Sequence, residues 1–214
     1  MSSILKVMRI TKYEHACLVV EEQGNALIID PGVLSKSLPD LKNVQAIVVT
    51  HIHSDHFDLE RLKVIAASNP KAKFFGPQQV AAEAVGINMV AVDAGTAQNA
   101  GSFQLSFYGG KHELYEEFEN IAVFVNEAVF HPGDSYTKPD KPIKLLGLPA
   151  SAPWLRVSDT VEFLKSCRPQ VAIPIHNSLL SEVGESIHYR IIAGAAQEIG
   201  TKWQVLKPGE SLEV

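Results

Sequence analysis

The sequence contains little cysteine and lacks long apolar runs. Cys17 and Cys167 are the two cysteines among 214 residues, which excludes the disulfide framework typical of small secreted domains. We expect both to be buried free thiols in a reducing compartment. Residues 1–11 have neither the long apolar run nor the small-residue cleavage site of a signal peptide. No segment approaches the roughly 20 apolar residues that a membrane span needs, so we expect a cytoplasmic location.

The sequence also lacks an excess of basic residues over acidic ones. The 19 lysines and arginines are outnumbered by 24 aspartates and glutamates, which gives a net charge of -5. Because phosphate backbones attract basic surfaces, this balance argues against a general nucleic-acid-binding protein. The sequence also has no internal repeat, low-complexity tract or obvious linker. With a hydrophobic fraction of 46%, this predicts one globular domain over residues 1–214.

The first fifty residues predict strands that end in chemically active side chains. Residues 8–20 mix β-branched and apolar positions, and residues 23–25 (Gln-Gly-Asn) are typical of a hairpin turn. The returning strand, residues 26–30, ends at Asp30. The near-continuous apolar run 46–50 fits a strand buried on both faces. Polar residues at these strand ends are therefore expected to face a cleft.

The rest of the chain alternates strands with helices, which predicts an α/β protein with two sheets and helices outside. Helical spacing marks residues 58–68, 78–85, 158–166 and 187–199. Short strands are predicted within 73–77, 89–92, 103–107, 121–125, 128–130, 170–175 and 203–206. The Pro-rich segment 132–153 is interpreted as one long loop, and loops of that length in compact domains tend to be functional.

Four potential metal ligands lie within six residues, directly after the strand 46–50. They are His51, His53, Asp55 and His56. Imidazole nitrogens and a carboxylate oxygen together suit zinc, iron or manganese. Side chains two residues apart project to the same side of an extended segment, so His51 and His53 can hold one ion. Asp55 and His56 can turn toward a second ion, so the spacing indicates a metal site rather than a solvated loop.

Three further candidate ligands lie at or just past predicted strand ends. His112 follows Gly-Gly-Lys, Asp134 lies in a His-Pro-Gly-Asp-Ser turn, and His176 ends the strand 170–175. Each is placed where the ligands of a cleft are expected. The sequence shows no convincing Ser or Cys nucleophile with triad partners, which also favours metal chemistry.

Taken in order, these motifs resemble those of the metallo-β-lactamase superfamily. The resemblance rests on His51-x-His53-x-Asp55-His56, followed by a lone histidine, an aspartate in a Gly-Asp-Ser turn and a late histidine. Met8-Arg9-Ile10-Thr11 with His15-Ala16-Cys17, and then Leu27-Ile28-Ile29-Asp30-Pro31-Gly32, is similar to the first hairpin of that superfamily. The resemblance covers essentially the whole chain. It implies an αββα sandwich of two mixed sheets, with a two-metal site between the sheet edges.

The resemblance also implies a role for each ligand. The first ion would be held by His51, His53 and His112, the second by Asp55, His56 and His176, and Asp134 would bridge both. Asp30 matches an acidic position that supports the ligands, and metal-binding histidines commonly need such a carboxylate partner. Two divalent ions are therefore the expected cofactors, with Zn²⁺ as the default and Mn²⁺ or Fe²⁺ compatible with the same donors. A bridging water would act as hydroxide at neutral pH, with Asp55 orienting it.

Departures from the family's patterns narrow the chemistry. The third motif is Gly110-Lys111-His112-Glu113 rather than the Gly-His-Thr-x-x-Gly of glyoxalase II-like members, which counts against a glutathione thioester substrate. Position 53 is histidine and not the glutamate of the oxygen-reducing diiron members, which favours hydrolysis. The chain has no room for the large insertion of the nucleic-acid-processing members. The most similar branch is the one that includes ascorbate-6-phosphate lactonase.

Other residues near these motifs have two interpretations each. Tyr136, two residues after Asp134, either donates a proton to the leaving group or packs within its loop. His131 is either a supporting or surface histidine or a further ligand, and His15 either lines the cleft or pairs locally. Trp154 forms either a wall of the substrate pocket or an anchor of its loop.

The sequence therefore predicts a metal-dependent hydrolase that cleaves a lactone, phosphoester or amide in a small-molecule substrate. Catalytic roles are expected for Asp55, Asp134 and Tyr136. Two alternatives stay open: a phosphodiesterase or nuclease acting on short nucleic acids, and a non-catalytic metal-binding regulatory protein that keeps the fold. The substrate, the metal and the oligomeric state are not determined by the sequence.

Overall fold

A computed structural model describes residues 7–214 and places two seven-stranded sheets face to face within them. The first sheet contains β1 (Arg9–Lys12), β2 (Leu18–Glu22), β3 (Asn25–Ile29), β4 (Val44–Val48), β5 (Lys73–Gly76), β6 (Met89–Ala91) and β14 (Ser211–Glu213). The second contains β7 (Ala97–Ala100), β8 (Phe103–Gly109), β9 (Ile121–Val125), β10 (Val129–His131), β11 (Leu145–Pro149), β12 (Val171–Ile175) and β13 (Lys202–Trp203). The helices are α1 (Leu59–Ser68), α2 (Gln78–Glu83), α3 (Val157–Cys167) and α4 (Glu182–Ile199).

Three apolar layers hold the sandwich together. The central layer joins the inner faces of the two sheets, with Leu27 and Phe75 from one and Phe107 and Ile173 from the other. A second layer packs α3 and α4 onto the second sheet, and a third packs α1 and α2 onto the first. Helices therefore cover both outer faces, and the prediction of an α/β fold with two mixed sheets and helices outside is confirmed.

The strand directions explain why the site forms at one edge of the sandwich. β3 to β6 are mutually parallel in the first sheet, and β10 to β13 are mutually parallel in the second. Parallel strands end at the same edge of a sheet. The segments that follow β4, β10 and β12 therefore lie at one edge of the sandwich. These segments carry most of the predicted ligands.

The predicted strand 8–20 is wrong in one respect, because it is two strands with a turn between them. β1 and β2 pair antiparallel, and Tyr13 to Cys17 form the turn. His15 has a positive φ of 60° in this turn. The buried side chain of Lys12 lies beneath it, and its Nζ donates to the carbonyl oxygens of Tyr13 (2.8 Å) and His15 (3.4 Å). An apolar sequence pattern does not reveal such a turn, because its residues stay buried.

The predicted long loop 132–153 is also corrected, because it contains β11, which pairs in parallel with both β10 and β12. Gly147 and Pro149 within β11 look like strand breakers in the sequence. Gly147 packs tightly instead, since a Cβ there would lie 3.3 Å from Ile175 Cγ2. The edge strands β7 and β14 were not predicted either.

Smaller differences concern the helices and the cysteines. α3 begins at Val157 with Arg156 rather than Ser158 as its N-cap, and α4 begins at Glu182, earlier than predicted. Both cysteines are free, but Cys167 is only half-buried. None of the helices in residues 7–214 is long and apolar enough to cross a membrane. Residues 1–6 of the segment expected not to be a signal peptide lie outside the described residues.

Candidate metal centre

All seven predicted metal ligands are brought together at one edge of the sandwich. The segment 51–56 leaves β4 before α1, His112 follows β8, Asp134 follows β10, and His176 follows β12. Their donor atoms form two sets, and within each set the atoms lie within 4.8 Å of one another. The first donor group consists of His51, His53, His112 and Asp134. The second donor group consists of His15, Asp55, His56 and His176.

The first donor group offers three imidazoles and one carboxylate. His51 Nε2 lies 3.1 Å from His53 Nδ1. Asp134 Oδ2 lies 3.4 Å from His112 Nε2 and 3.8 Å from His51 Nε2. These are distances at which neighbouring ligands of one small cation stand, and three nitrogens with one oxygen suit zinc.

The second donor group surrounds Asp55. Asp55 Oδ2 lies 3.4 Å from His176 Nε2 and 3.7 Å from His56 Nε2. Asp134 reaches this group as well, with Oδ1 3.2 Å from His56 Nε2 and Oδ2 3.2 Å from His176 Nε2. Asp134 thus lies between the two groups, which is the placement that its predicted bridging role needs.

His15 belongs to the second donor group, although the sequence did not predict it as a ligand. Its ring is fully buried, and Nε2–H donates to Asp55 Oδ2 at 2.8 Å. Its carbonyl oxygen accepts the backbone N–H of His176 at 3.0 Å, so the turn 13–17 is fastened to the end of β12. The one signal in the sequence was the likeness of His15-Ala16-Cys17 to the family's first hairpin.

Asp30 supports the second donor group from behind, as the resemblance implied. It is fully buried, and Oδ2 accepts His56 Nδ1–H and the Thr50 hydroxyl, each at 2.7 Å. Oδ1 accepts the Thr50 backbone N–H at 2.7 Å. The hairpin end approaches the ligand segment so closely that a Cβ on Gly32 would lie 2.0 Å from the Asp55 carbonyl oxygen. Only glycine is accommodated there.

Hydrogen bonds also fix the rings of other histidines. His176 Nδ1–H donates to the Ser151 carbonyl at 2.6 Å, which leaves Nε2 directed at the donor groups. His131 is not among the donors: its Nε2–H donates to the Ala16 carbonyl at 2.8 Å, and Nδ1 accepts the Gly133 N–H at 3.1 Å. His131 is therefore a buried supporting residue, the first of its two interpretations.

His112 is oriented differently from these rings. Its Nδ1 accepts backbone N–H groups of Leu114 (3.1 Å) and Tyr115 (3.3 Å). Nδ1 therefore faces the backbone, and Nε2 is the ring nitrogen that faces Asp134.

The carboxylates dominate the electrostatics of the second donor group. Burial opposes a charged His56, but Asp134 and Asp30 outweigh it and raise the pKa of His56 well above its usual value. Burial also disfavours charged His176, and Asp134 reverses this, raising the pKa of His176 to about 9. The pKa of Asp134 is held well below its usual range despite burial, because His56 and His176 lie beside it. In the first donor group, burial and the charge of His56 lower the pKa of His51 well below its usual value.

Divalent cations fit these residues. The buried atoms His56 Nε2, His112 Nε2, His176 Nε2 and Asp134 Oδ1 have no hydrogen-bond partner among the described residues. A buried polar atom left without a partner costs about 1–3 kcal/mol. All four atoms belong to one cluster of imidazoles and carboxylates, so cations placed there would satisfy them together. The donor chemistry is that of zinc, iron or manganese sites.

A cavity of about 180 Å³ opens beside the two donor groups. Besides ligands, it is lined by Tyr115, Pro153, Trp154 and Leu179. Trp154 Nε1–H donates to Asp134 Oδ2 at 2.9 Å, so this residue forms a wall of the pocket and also contacts the shared carboxylate. Three larger cavities in the described residues, along β5, along α1 and beside α2, contain neither donor group.

Tyr136 is not brought to this cavity, which corrects its predicted placement. Its ring packs against Trp154 and Phe163, at centroid distances of 5.3 and 5.4 Å. Its buried hydroxyl has no hydrogen-bond partner among the described residues, and burial raises the pKa of that hydroxyl. The alternative of a tyrosine packed within its loop matches these contacts, and the proton-donor role has no geometric support.

Known proteins resemble this chain over nearly its whole length. A family model described as beta-lactamase superfamily domain matches residues 9–176. Protein Rv0786c of Mycobacterium tuberculosis is 31% identical over 191 residues, which span 85% of this chain and 90% of that protein. A protein of Aeropyrum pernix described as UPF0173 metal-dependent hydrolase is 26% identical, over 96% of this chain and 97% of its own.

The solved structures give the same picture of the fold. Igni18, described as a novel metallo hydrolase from the hyperthermophilic archaeon Ignicoccus hospitalis, matches with a TM-score of 0.78. The match covers 97% of this chain and 98% of that chain at 21% identity, so it is a likeness of fold. The family match, residues 9–176, runs from before His15 to His176 and so includes every member of both donor groups.

Proposed function

Since this chain belongs to the beta-lactamase superfamily, we propose that it uses two divalent ions to cleave a small molecule at a lactone, amide or phosphoester bond. That it is a metal-dependent hydrolase of this fold follows from its family, its relatives and its donor groups. The number of ions and the bond cleaved are the proposal. The observation that carries it is the position of Asp134 between the two donor groups, within 3.2–3.8 Å of imidazoles in both.

The residues divide the task of holding the ions. His51, His53 and His112 would hold one ion, Asp55, His56 and His176 the other, and Asp134 would contact both. When bound, such ions supply positive charge beside the scissile bond and lower the pKa of a water toward neutrality. We propose zinc on the strength of the imidazole-rich donor sets.

Asp55 is the group of this chain placed to direct the attacking water. It is the part-exposed carboxylate of the second donor group, and it lines the cavity. Burial opposes its ionisation, but hydrogen bonds from His15 and His176 outweigh burial and keep the pKa of Asp55 low. An ionised carboxylate fixed by His15 Nε2–H can accept a hydrogen bond from water in one orientation.

The second carboxylate is fixed from the opposite side. Trp154 Nε1–H holds Asp134 Oδ2, and the indole ring closes one wall of the cavity. This arrangement orients Asp134 and limits the access of bulk water to the reacting groups.

The finer identity of the enzyme remains part of the proposal. The resemblance to the branch that includes ascorbate-6-phosphate lactonase supports a lactone as one candidate substrate. A cytoplasmic location, a single domain over residues 1–214 and a small-molecule partner are proposed on the composition already described.

Reconstitution tests this function. The metal-free protein is titrated with Zn²⁺ or Mn²⁺, and bound metal and hydrolysis of a panel of lactones, amides and phosphodiesters are measured at each step. We expect two ions per chain, one for each donor group, and turnover that rises as the second ion binds. Two bound ions with no hydrolysis across the panel would instead support the non-catalytic metal-binding alternative. Full turnover with one ion would exclude the two-ion mechanism.

A further inference from the structure

The walls of the cavity beside the donor groups are apolar. Apart from ligands, its lining consists of Tyr115, Pro153, Trp154 and Leu179. Leu179 is 58% exposed and Tyr115 is 42% exposed. Large apolar side chains that face solvent contribute no hydrophobic stabilisation to the fold, so their exposure indicates a binding surface. Both stand beside the donor groups, where an apolar part of a substrate would cover them.

No lysine or arginine lines this cavity among the described residues. The nearest cations in sequence are engaged elsewhere. Lys111 Nζ pairs with Glu116 at 3.0 Å, and Arg156 Nε pairs with Asp159 at 3.1 Å. The segment 111–119, which contributes His112 and Tyr115 to the cavity, contains four glutamates and one lysine. This flanking segment thus carries a net negative charge.

This charge distribution disfavours anionic substrates. Bound ions would attract one anionic oxygen of a substrate. A phosphate ester, a phosphorylated sugar or a nucleic acid carries charge beyond that oxygen, and the apolar lining and the nearby glutamates cannot neutralise it. An acyl carbonyl places no formal charge on the walls before the reaction begins.

The size of the cavity also restricts the size of the substrate. The cavity is small, with a volume of about 180 Å³. It accommodates a compact reacting group and a short substituent rather than several linked residues of a polymer.

We infer that the substrate is an uncharged acyl compound, an ester, lactone or amide, whose apolar substituent packs on Tyr115 and Leu179. The inference rests on the proposed hydrolytic function and narrows it. It removes phosphoesters and short nucleic acids from the substrates considered above, and within the lactones it favours unphosphorylated ones.

A matched pair of substrates tests the inference. p-Nitrophenyl hexanoate and mono-p-nitrophenyl adipate share the scissile bond and the leaving group, but the adipate carries a carboxylate at the far end of its acyl chain. With the metal-loaded protein we expect kcat/KM for the hexanoate to exceed that for the adipate by at least about tenfold. Equal values, or a preference for the adipate, would overturn the inference. So would a kcat/KM for bis(p-nitrophenyl) phosphate above that for the hexanoate.

Charge variants at the cavity rim make the test specific to these walls. In Leu179→Arg, the adipate-to-hexanoate ratio of kcat/KM should rise about three- to tenfold, and in Leu179→Glu it should fall by a similar factor. Val183→Arg is the control, because Val183 is also exposed, at 69%, but does not line the cavity. Its ratio should stay within about twofold of the wild type, since solvent screens an exposed charge outside the cavity.

The outcomes separate this inference from the proposed function. If Leu179→Arg leaves the ratio unchanged, or if Val183→Arg raises it equally, the walls do not select the substrate and the inference is wrong, while hydrolysis itself stands. If two ions are bound and none of the reporter esters or phosphates is hydrolysed, the proposed function fails and the inference fails with it.

Discussion

The two donor groups contain the same number of side chains, but their histidines are oriented differently. In the second group, His56 Nδ1–H donates to Asp30 and His176 Nδ1–H donates to Ser151, so both Nε2 atoms are free for a cation. In the first group, His53 is half-buried, and His112 Nδ1 is occupied by backbone N–H groups. Partners that fix the tautomer of a ligand raise its affinity for metal. The second group should therefore bind its ion more tightly once its histidines are deprotonated.

The number of ligands alone therefore does not rank the two metal sites. Each group offers four donors, and nothing in the sequence separates them. The difference lies in the atoms behind the ligands, which come from distant parts of the chain.

The largest effect on metal content and kcat is expected at Asp134, which lies between the two donor groups. In Asp134→Asn, both groups lose the carboxylate that lies between them, so metal content and kcat should fall together, with kcat reduced more than about a hundredfold. Metal per chain and turnover are measured on the same preparation. Asp140→Asn is the matched control on the following loop, where Asp140 is exposed and accepts only the Tyr108 hydroxyl. Two ions and full activity in Asp134→Asn would refute the bridging assignment.

Substituting Asp30, which supports only the second donor group, should remove the difference in metal affinity between the two groups. Asp30→Asn weakens the acceptor for His56 Nδ1–H, so affinity for the second group's ion should fall about ten- to a hundredfold. The first group's ion should be affected less. Stepwise titration against a chelator, with circular dichroism to verify the fold, measures both constants. Equal losses at the two sites would show that Asp30 is not the source of the difference.

The two groups should also respond differently to pH. The raised pKa of His176, about 9, means that a proton must leave before a cation binds. Apparent affinity of the second group should therefore rise about tenfold per pH unit below the pKa of His176, and more steeply where His56, whose pKa is also raised, carries a proton as well. His51 has a lowered pKa and is already neutral there, so the first group should depend on pH less. Affinities measured from pH 6 to 10 that change in parallel at both sites would contradict this.

A smaller effect on kcat is expected at Trp154, whose indole donates to the shared carboxylate of Asp134. Trp154→Phe removes the hydrogen bond to Asp134 Oδ2 and should lower kcat about tenfold with metal still bound. Trp203→Phe is the matched control, since Trp203 packs edge-to-face against Tyr189 and does not line the cavity. The same pair allows a second readout, because metal binding should change the fluorescence of Trp154 but not of Trp203. An unaltered kcat in Trp154→Phe would remove it from the positioning residues.

The smallest effect is expected at Tyr136. Because its unpaired hydroxyl lies against α3 and outside the cavity, Tyr136→Phe should change kcat by less than about twofold. Its free energy of unfolding should be unchanged or slightly raised, since a buried polar group without a partner is removed. A drop in kcat of more than about tenfold at unchanged metal content would restore the proton-donor role.

The seven predicted ligands came from local information. His51 and His53 share a spacing of two, and His112, Asp134 and His176 each follow a predicted strand, which marked them as candidates. The resemblance to the metallo-β-lactamase superfamily then implied their roles as ligands. His15 could not be recognised in that way. Its place in the second donor group depends on a hydrogen bond between its carbonyl and His176, which exists only when the turn 13–17 meets the end of β12.

The same limit explains the errors in the fold. β11 was interpreted as part of a loop because prolines recur through the segment 132–153, whereas Pro149 ends a strand that pairs with β10 and β12. Strands β7 and β14 are short and partly exposed, and they exist because of their partners, β8 and β1. The buried run of β9 was predicted with its observed bounds, and that of β4 was predicted at 46–50, two residues later than the observed Val44–Val48.

Lys12 can serve as a chemical probe of the turn 13–17, which carries His15. The amine is 1% exposed, and burial lowers its pKa to about 8, so near neutral pH a larger share of it is unprotonated than of a surface lysine. An amine-reactive reagent cannot reach it while the turn is closed. Modification of Lys12, followed by mass spectrometry, would therefore report the opening of the turn 13–17. A cation held by Asp55, His56 and His176 should slow that modification, because His15 in this turn donates to Asp55.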